Sequence, residues 1–93
     1  MISIVIPIYN EEANIAKLAE SILKALSGIE YEVLFINDGS TDSSEKEIQA
    51  ISKSNTHIKL INLRRNYGQT AAIQAGFDHA QGEIIIPMDG DLQ

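Results

Sequence analysis

Four short apolar runs punctuate the chain: residues 2–8, 31–37, 58–63 and 83–88. Each is rich in Ile, Val or Leu, and most are continuous rather than alternating. Continuous runs of this length predict strands covered on both faces, as in a parallel sheet. Three stretches between them carry apolar residues at helical spacing. Residues 12–26 place Ile15, Leu18, Ile22, Ala25 and Leu26 on one face. Asn10 fits as the N-cap of that helix, with Glu11 and Glu12 answering the helix dipole and Gly28 as the stop. Residues 42–52 are more polar, with Ile48 and Ile51 as apolar contacts and Thr41 or Asp42 as cap. Residues 69–80 carry Ala71, Ala72, Ala75, Gly76 and Ala80, small enough to let a helix lie close to a sheet, and Gly82 ends it. Phe77 and Met88 read as core, and His57 and His79 as ordinary structural residues.

The order βαβαβαβ predicts an α/β fold: a three-layer, Rossmann-like, doubly wound parallel sheet with right-handed crossovers. Residues 1–93 read as one domain. No helix follows the last strand, so one sheet edge is expected to be open, a liability for self-association. Pro87 lies inside that strand and is expected to remove one ladder bond.

Composition narrows the classes. A formal net charge of −6 lacks the basic stripe of a nucleic-acid binder, so no nucleic-acid partner is expected. It leaves room for a phosphate ligand, because a metal can supply positive charge. There are no cysteines, which excludes disulfides and thiolate metal sites. No apolar run is long enough to span a bilayer, and the N-terminus has no basic n-region. A cytoplasmic domain is the expectation.

In open α/β sheets, ligands bind beyond the carboxyl ends of the strands. All four predicted strands end in residues with chemical potential. After the first come Pro7-Ile8-Tyr9-Asn10-Glu11-Glu12: Tyr9 can stack on a base and Glu11 can accept hydrogen bonds, while a plain helix start explains the same residues. After the second come Asn37-Asp38-Gly39-Ser40-Thr41-Asp42, where Asp38 can accept a base N–H, and a simple strand-to-helix turn also fits. After the third come Arg64-Arg65-Asn66-Tyr67-Gly68-Gln69, in which Arg suits a diphosphate beside a helix N-terminus, or only solvates the surface. After the fourth come Asp89-Gly90-Asp91-Leu92-Gln93. Residues i and i+2 of an extended chain point the same way, so Asp89 and Asp91 can face one ion. An oxygen-only set suits Mg²⁺ or Mn²⁺ rather than Zn²⁺. A solvated acidic turn is the competing explanation.

These four motifs, in this order, resemble family 2 glycosyltransferases of the GT-A fold. The Asn66-Tyr67-Gly68-Gln69 run and the Asp89–Gln93 ending look most like the branch that glycosylates polyprenyl phosphates, the dolichyl- and undecaprenyl-phosphate sugar transferases. The resemblance implies that residues 1–93 are the N-terminal, donor-binding part of a GT-A domain, ending at the Asp-x-Asp motif. It implies a nucleotide site at Pro7, Tyr9, Glu11, Asp38, Arg65 and Asp89, and a metal site at Asp89, Asp91 and Gln93 holding Mg²⁺ or Mn²⁺. It implies a UDP- or GDP-linked sugar as donor and a lipid phosphate as acceptor, with the acceptor site, any catalytic base and any membrane helices beyond residue 93. No catalytic residue is therefore assigned within the chain, and the whole protein is expected at the cytoplasmic face of the membrane. Asn37 departs from the family, which more usually has Asp there; Asp38 is left for the base contact.

Other α/β classes fit less well. A dinucleotide fold wants Gly-x-Gly-x-x-Gly after the first strand, a nucleotidyltransferase wants a Gly-rich basic loop there, and a receiver domain wants an acceptor Asp where Arg64-Arg65 stands. A non-catalytic binding or assembly module that keeps the fold alone is the remaining alternative.

Overall fold

The computed structural model describes residues 1–89. The elements alternate as expected: β1 (Ile2–Ile8), α1 (Ile15–Ala25), β2 (Tyr31–Asn37), α2 (Ser44–Ser54), β3 (Ile58–Asn62), α3 (Gln69–His79) and β4 (Ile84–Pro87). The strands form one parallel sheet in the order β3-β2-β1-β4. The chain steps outward from β1 through β2 to β3, then returns to the far side of β1. Right-handed crossovers in opposite directions put their helices on opposite faces. Accordingly α1 and α2 share one face and α3 covers the other, giving the three-layer α/β architecture.

Burial follows the strand period of two. Ile4, Ile6 and Ile8 of β1 join Val33 and Phe35 of β2 beneath Ile15, Leu18 and Ile22 of α1 and Ile48 of α2. Val5, Leu34 and Ile36 point the other way, toward Ala72 of α3. Each fully buried Ile, Leu or Phe contributes about 1.5–3 kcal/mol. The small-residue stripe on α3 has a steric reason. A Cβ on Gly76 would overlap the Val5 side chain, so the helix can sit this close only without one. Phe77 does not join the core; it is exposed, because the adjacent stripe already occupies the sheet-facing side. Met88 packs on the larger cluster. His57 stacks on Tyr31 with ring centroids 4.4 Å apart, and His79 Nδ1 lies 2.8 Å from the Ala75 carbonyl oxygen, both structural roles.

Two local expectations are corrected. Helix α1 starts at Ile15, so Asn10 is not its N-cap and its first turn holds no acid. Asn10 instead has φ 53°, a left-handed conformation that Asn tolerates better than most residues. Pro87 breaks no ladder bond. Met88 N donates to Val5 O at 2.9 Å. Since successive N–H groups alternate sides, the missing one at Pro87 points away from β1, toward the far side of β4. The rest of that edge is apolar: Ile84 and Ile86 are both exposed.

At the amino ends of the strands, a buried polar cluster ties the sheet to the α3–β4 turn. Glu32 Oε2 accepts from Ser3 Oγ at 2.6 Å and from Gln81 N at 2.7 Å; Oε1 accepts from Lys59 Nζ at 2.8 Å. Ser3 Oγ in turn accepts from Gly82 N. Burial pushes the Glu32 carboxyl up, and these donors outweigh it, leaving the group below its ordinary value.

Candidate functional site

The chain reverses its direction of travel across the sheet between β1 and β4, and a cleft of about 290 Å³ opens at the carboxyl ends there. All four strand ends contribute to it. Pro7, Ile8, Tyr9 and Glu11 come from β1 and its loop, and Asp38 from the end of β2. Asn66, Gly68 and Gln69 come from the β3–α3 loop and the start of α3, and Asp89 follows β4.

Of the residues expected to hold a nucleotide, Pro7, Tyr9, Glu11, Asp38 and Asp89 line this cleft. Arg65 does not; its guanidinium lies over the Tyr67 ring, 5.1 Å from the centroid. Asn66, Gly68 and Gln69 line the cleft in that loop without having been singled out. Their signal was present, since all three belong to the motif that flagged Arg65. Gln69 Nε2 donates to Asp89 Oδ1 at 3.3 Å, joining the start of α3 to the end of β4. Asp91 and Gln93 lie outside the described residues. Among the described residues there is no cluster of three or more metal-ligating side chains.

The loops around the cleft hold one another through side chains. Asn10 Oδ1 accepts from Thr41 N at 2.8 Å and Asp42 N at 3.3 Å, and Asn10 N donates to Ser40 Oγ. Glu11 N donates to Ser44 Oγ and Glu12 N to Asp42 Oδ2, while Ser43 N donates to Glu12 Oε2. Asp42 Oδ1 accepts from Ser44 N at 2.9 Å just ahead of α2, whose N-cap position is held by Ser43 and not by Thr41 or Asp42 as expected. Partial burial pushes the Asp42 carboxyl up; bonds from Ser44 and the Glu12 amide prevail and leave it below its ordinary value.

Asp38 serves a third loop. It is only 3% exposed. Its Oδ1 accepts from Tyr67 N at 2.8 Å, and its Oδ2 from Gly68 N at 3.0 Å and Asn66 Nδ2 at 3.3 Å. Beside it Gly39 has φ 71°, and a Cβ there would overlap the Arg65–Asn66 backbone.

The lining is electrostatically one-sided. Glu11, Asp38 and Asp89 bring carboxylates, and among the described residues no Lys or Arg lines the cleft. An anionic ligand seated here needs positive charge from elsewhere, which a divalent cation supplies. The oxygen donors present, Asp89 among them, suit Mg²⁺ or Mn²⁺.

Comparison with known proteins agrees with this geometry. The profile of glycosyl transferase family 2 matches residues 3–93. The putative glycosyltransferase CsbB of Bacillus subtilis (strain 168) is 46% identical over 95 residues, covering 100% of this chain and 29% of that protein. The undecaprenyl-phosphate 4-deoxy-4-formamido-L-arabinose transferase of Proteus mirabilis (strain HI4320) is 43% identical over 95 residues, covering 99% of this chain and 29% of that one. Among solved structures, glucosyl-3-phosphoglycerate synthase from Mycobacterium tuberculosis, in complex with Mn²⁺, UDP and glucosyl-3-phosphoglycerate, matches with a TM-score of 0.78 at 26% identity. That match covers 97% of this chain and 33% of the other. The fold is that of the GT-A glycosyltransferases, and the chain spans about 30% of the length of the curated relatives it matches.

Proposed function

Because the chain belongs to glycosyl transferase family 2, we propose that its cleft binds a nucleotide-diphosphate sugar together with Mg²⁺ or Mn²⁺, and that the protein is a glycosyltransferase. One observation carries the reading: a cleft lined from all four strand ends, with carboxylates and, among the described residues, no cationic side chain. Tyr9 and Pro7 provide surface for the base, and Glu11 provides an acceptor. A carboxylate offers about four acceptor positions, and the β3–α3 loop takes three of those on Asp38, which leaves room for one base N–H. Asp89, with Asp91 and Gln93 two and four residues beyond it, holds the cation, and Gln69 orients Asp89. When bound, the cation neutralises charge developing on the leaving nucleoside diphosphate. Arg65 reaches the diphosphate by leaving the Tyr67 ring.

The acceptor is a polyprenyl phosphate, attacking the anomeric carbon with inversion; the Proteus mirabilis relative, named for undecaprenyl phosphate, supports this choice. Such an acceptor is already anionic, so the displacement does not depend on a base from residues 1–93. These residues alone bind the donor and transfer little or nothing. Among the described residues no helix is long and apolar enough to cross a membrane. The lipid acceptor puts the whole protein at the cytoplasmic membrane face.

Asp91→Ala tests the metal assignment. Loss of metal-dependent UDP or GDP binding with folding intact supports it, and unaltered binding refutes it. The apolar β4 edge favours association with a second copy; a strictly monomeric mass by light scattering at high concentration refutes that part.

A further inference from the structure

We propose that Asp38 and Gly39 form a latch that holds the β3–α3 loop in place as the wall of the cleft, so that Asp38 is a positioning residue as well as a base contact. The inference rests on the donor-site reading for its ligands but not for its geometry. Two independent features of the loop meet at this dipeptide. The first is chemical. Tyr67 N and Gly68 N precede the α3 ladder, and Asp38 is their acceptor. Asn66 Nδ2 reaches the same carboxylate and also the Asp38 carbonyl oxygen at 3.2 Å. The second is steric. The Arg65–Asn66 backbone sits where a Cβ of residue 39 would be, so the loop reaches this depth only over a glycine.

The consequence lies in the residues the latch positions. Asn66, Gly68 and Gln69 are three of the nine described residues that line the cleft. Gln69 in turn donates to Asp89. Asp38, at the end of β2, thereby governs the loop next to the metal corner as well as any base near its own carboxylate. Asparagine cannot substitute. Its carboxamide oxygen serves some of these donors, but its NH₂ faces another N–H and cannot accept.

Amide hydrogen exchange and ligand binding test this together, with UDP, GDP and inorganic pyrophosphate as probes, each with Mn²⁺. In the unaltered chain, the Tyr67 and Gly68 amides should exchange at least about tenfold more slowly than free peptide, although they lie outside any helix ladder. Asp38→Asn should abolish protection of at least one of the two amides and weaken all three ligands about tenfold, pyrophosphate included. Gly39→Ala should do the same, although it removes no group able to touch a base. The latch is overturned if both amides exchange at free-peptide rates in the unaltered chain. It is equally overturned if Asp38→Asn weakens only a nucleotide, leaving pyrophosphate binding and both protections intact. If none of the ligands binds the unaltered chain, the proposed function falls, and the protection of the two amides decides the latch alone. If Asp38→Asn does not fold, the unaltered chain and Gly39→Ala decide it.

Discussion

Asn10 caps a loop that is not its own: its Oδ1 lies 2.8 Å from the backbone nitrogen of Thr41, joining the loop after β1 to the loop after β2. The left-handed backbone of Asn10 directs its side chain there rather than back onto α1. The contact should be measurable as stability. Asn10→Ala loses the three bonds that Oδ1 accepts, from Thr41 N, Thr41 Oγ1 and Asp42 N, keeps the strained φ, and should cost about 2–3 kcal/mol in urea unfolding. Asn10→Gly loses the bonds but relaxes the backbone, and should cost about 1 kcal/mol less. Equal losses for the two would mean that the backbone conformation plays no part.

Gly76 sets two effects against each other. Alanine is a better helix former by about 1 kcal/mol. The added methyl would overlap Val5, and overpacking of this kind costs about 1–3 kcal/mol. Sterics should win, so Gly76→Ala should destabilise, and Val5→Ala in the same chain should recover part of the loss. A stabilising Gly76→Ala would show that α3 rides higher on the sheet than described.

The Glu32 cluster predicts a pH dependence with a definite sign. Its carboxyl is held below its ordinary value in the folded chain, so the unfolded chain binds the proton more tightly. The stabilisation is therefore complete above the ordinary carboxylate range and lost as pH falls through and below it. Glu32→Gln should flatten that acid limb of the stability curve. Glu32→Ala leaves Gln81 N and Ser3 Oγ without their acceptor and should cost about 3 kcal/mol at neutral pH. An unchanged acid limb in Glu32→Gln would place the titration elsewhere.

Arg65 lies outside the cleft lining, over the Tyr67 ring. If it leaves Tyr67 for the donor diphosphate, Arg65→Ala should weaken UDP or GDP binding about tenfold at low salt, and Arg65→Lys should restore part of it. Binding identical to the unaltered chain would return Arg65 to the surface.

The sequence made the architecture legible because its strongest signal was strand continuity. Strands buried on both faces read as unbroken Ile, Val and Leu runs, and the helical stripe of α1 put Ile15, Leu18 and Ile22 where the core has them. The cleft was legible for a related reason: a parallel sheet brings all strand ends to one side, so Tyr9, Asp38 and Asp89 meet without any contact information. What escaped was connectivity between loops. Nothing in a local pattern tells Asn10 to serve Thr41 rather than its own helix, or joins Glu32 to Lys59 and Gln81. These pairings depend on strand order and on one left-handed residue. Phe77 was misjudged for the same reason, since hydrophobicity identifies an apolar side chain but not which face of a small-residue helix meets the sheet.

The central claim is that the cleft at the carboxyl ends of β1 and β4 holds a nucleoside diphosphate through a divalent cation. Calorimetric titration of the chain with UDP and with GDP, each with Mn²⁺ and with the metal chelated, addresses it directly. The account predicts saturable binding of at least one nucleotide with Mn²⁺, lost on chelation and lost in Asp89→Asn. No binding of either nucleotide in the presence of Mn²⁺, or binding indifferent to the metal and to Asp89→Asn, would contradict it.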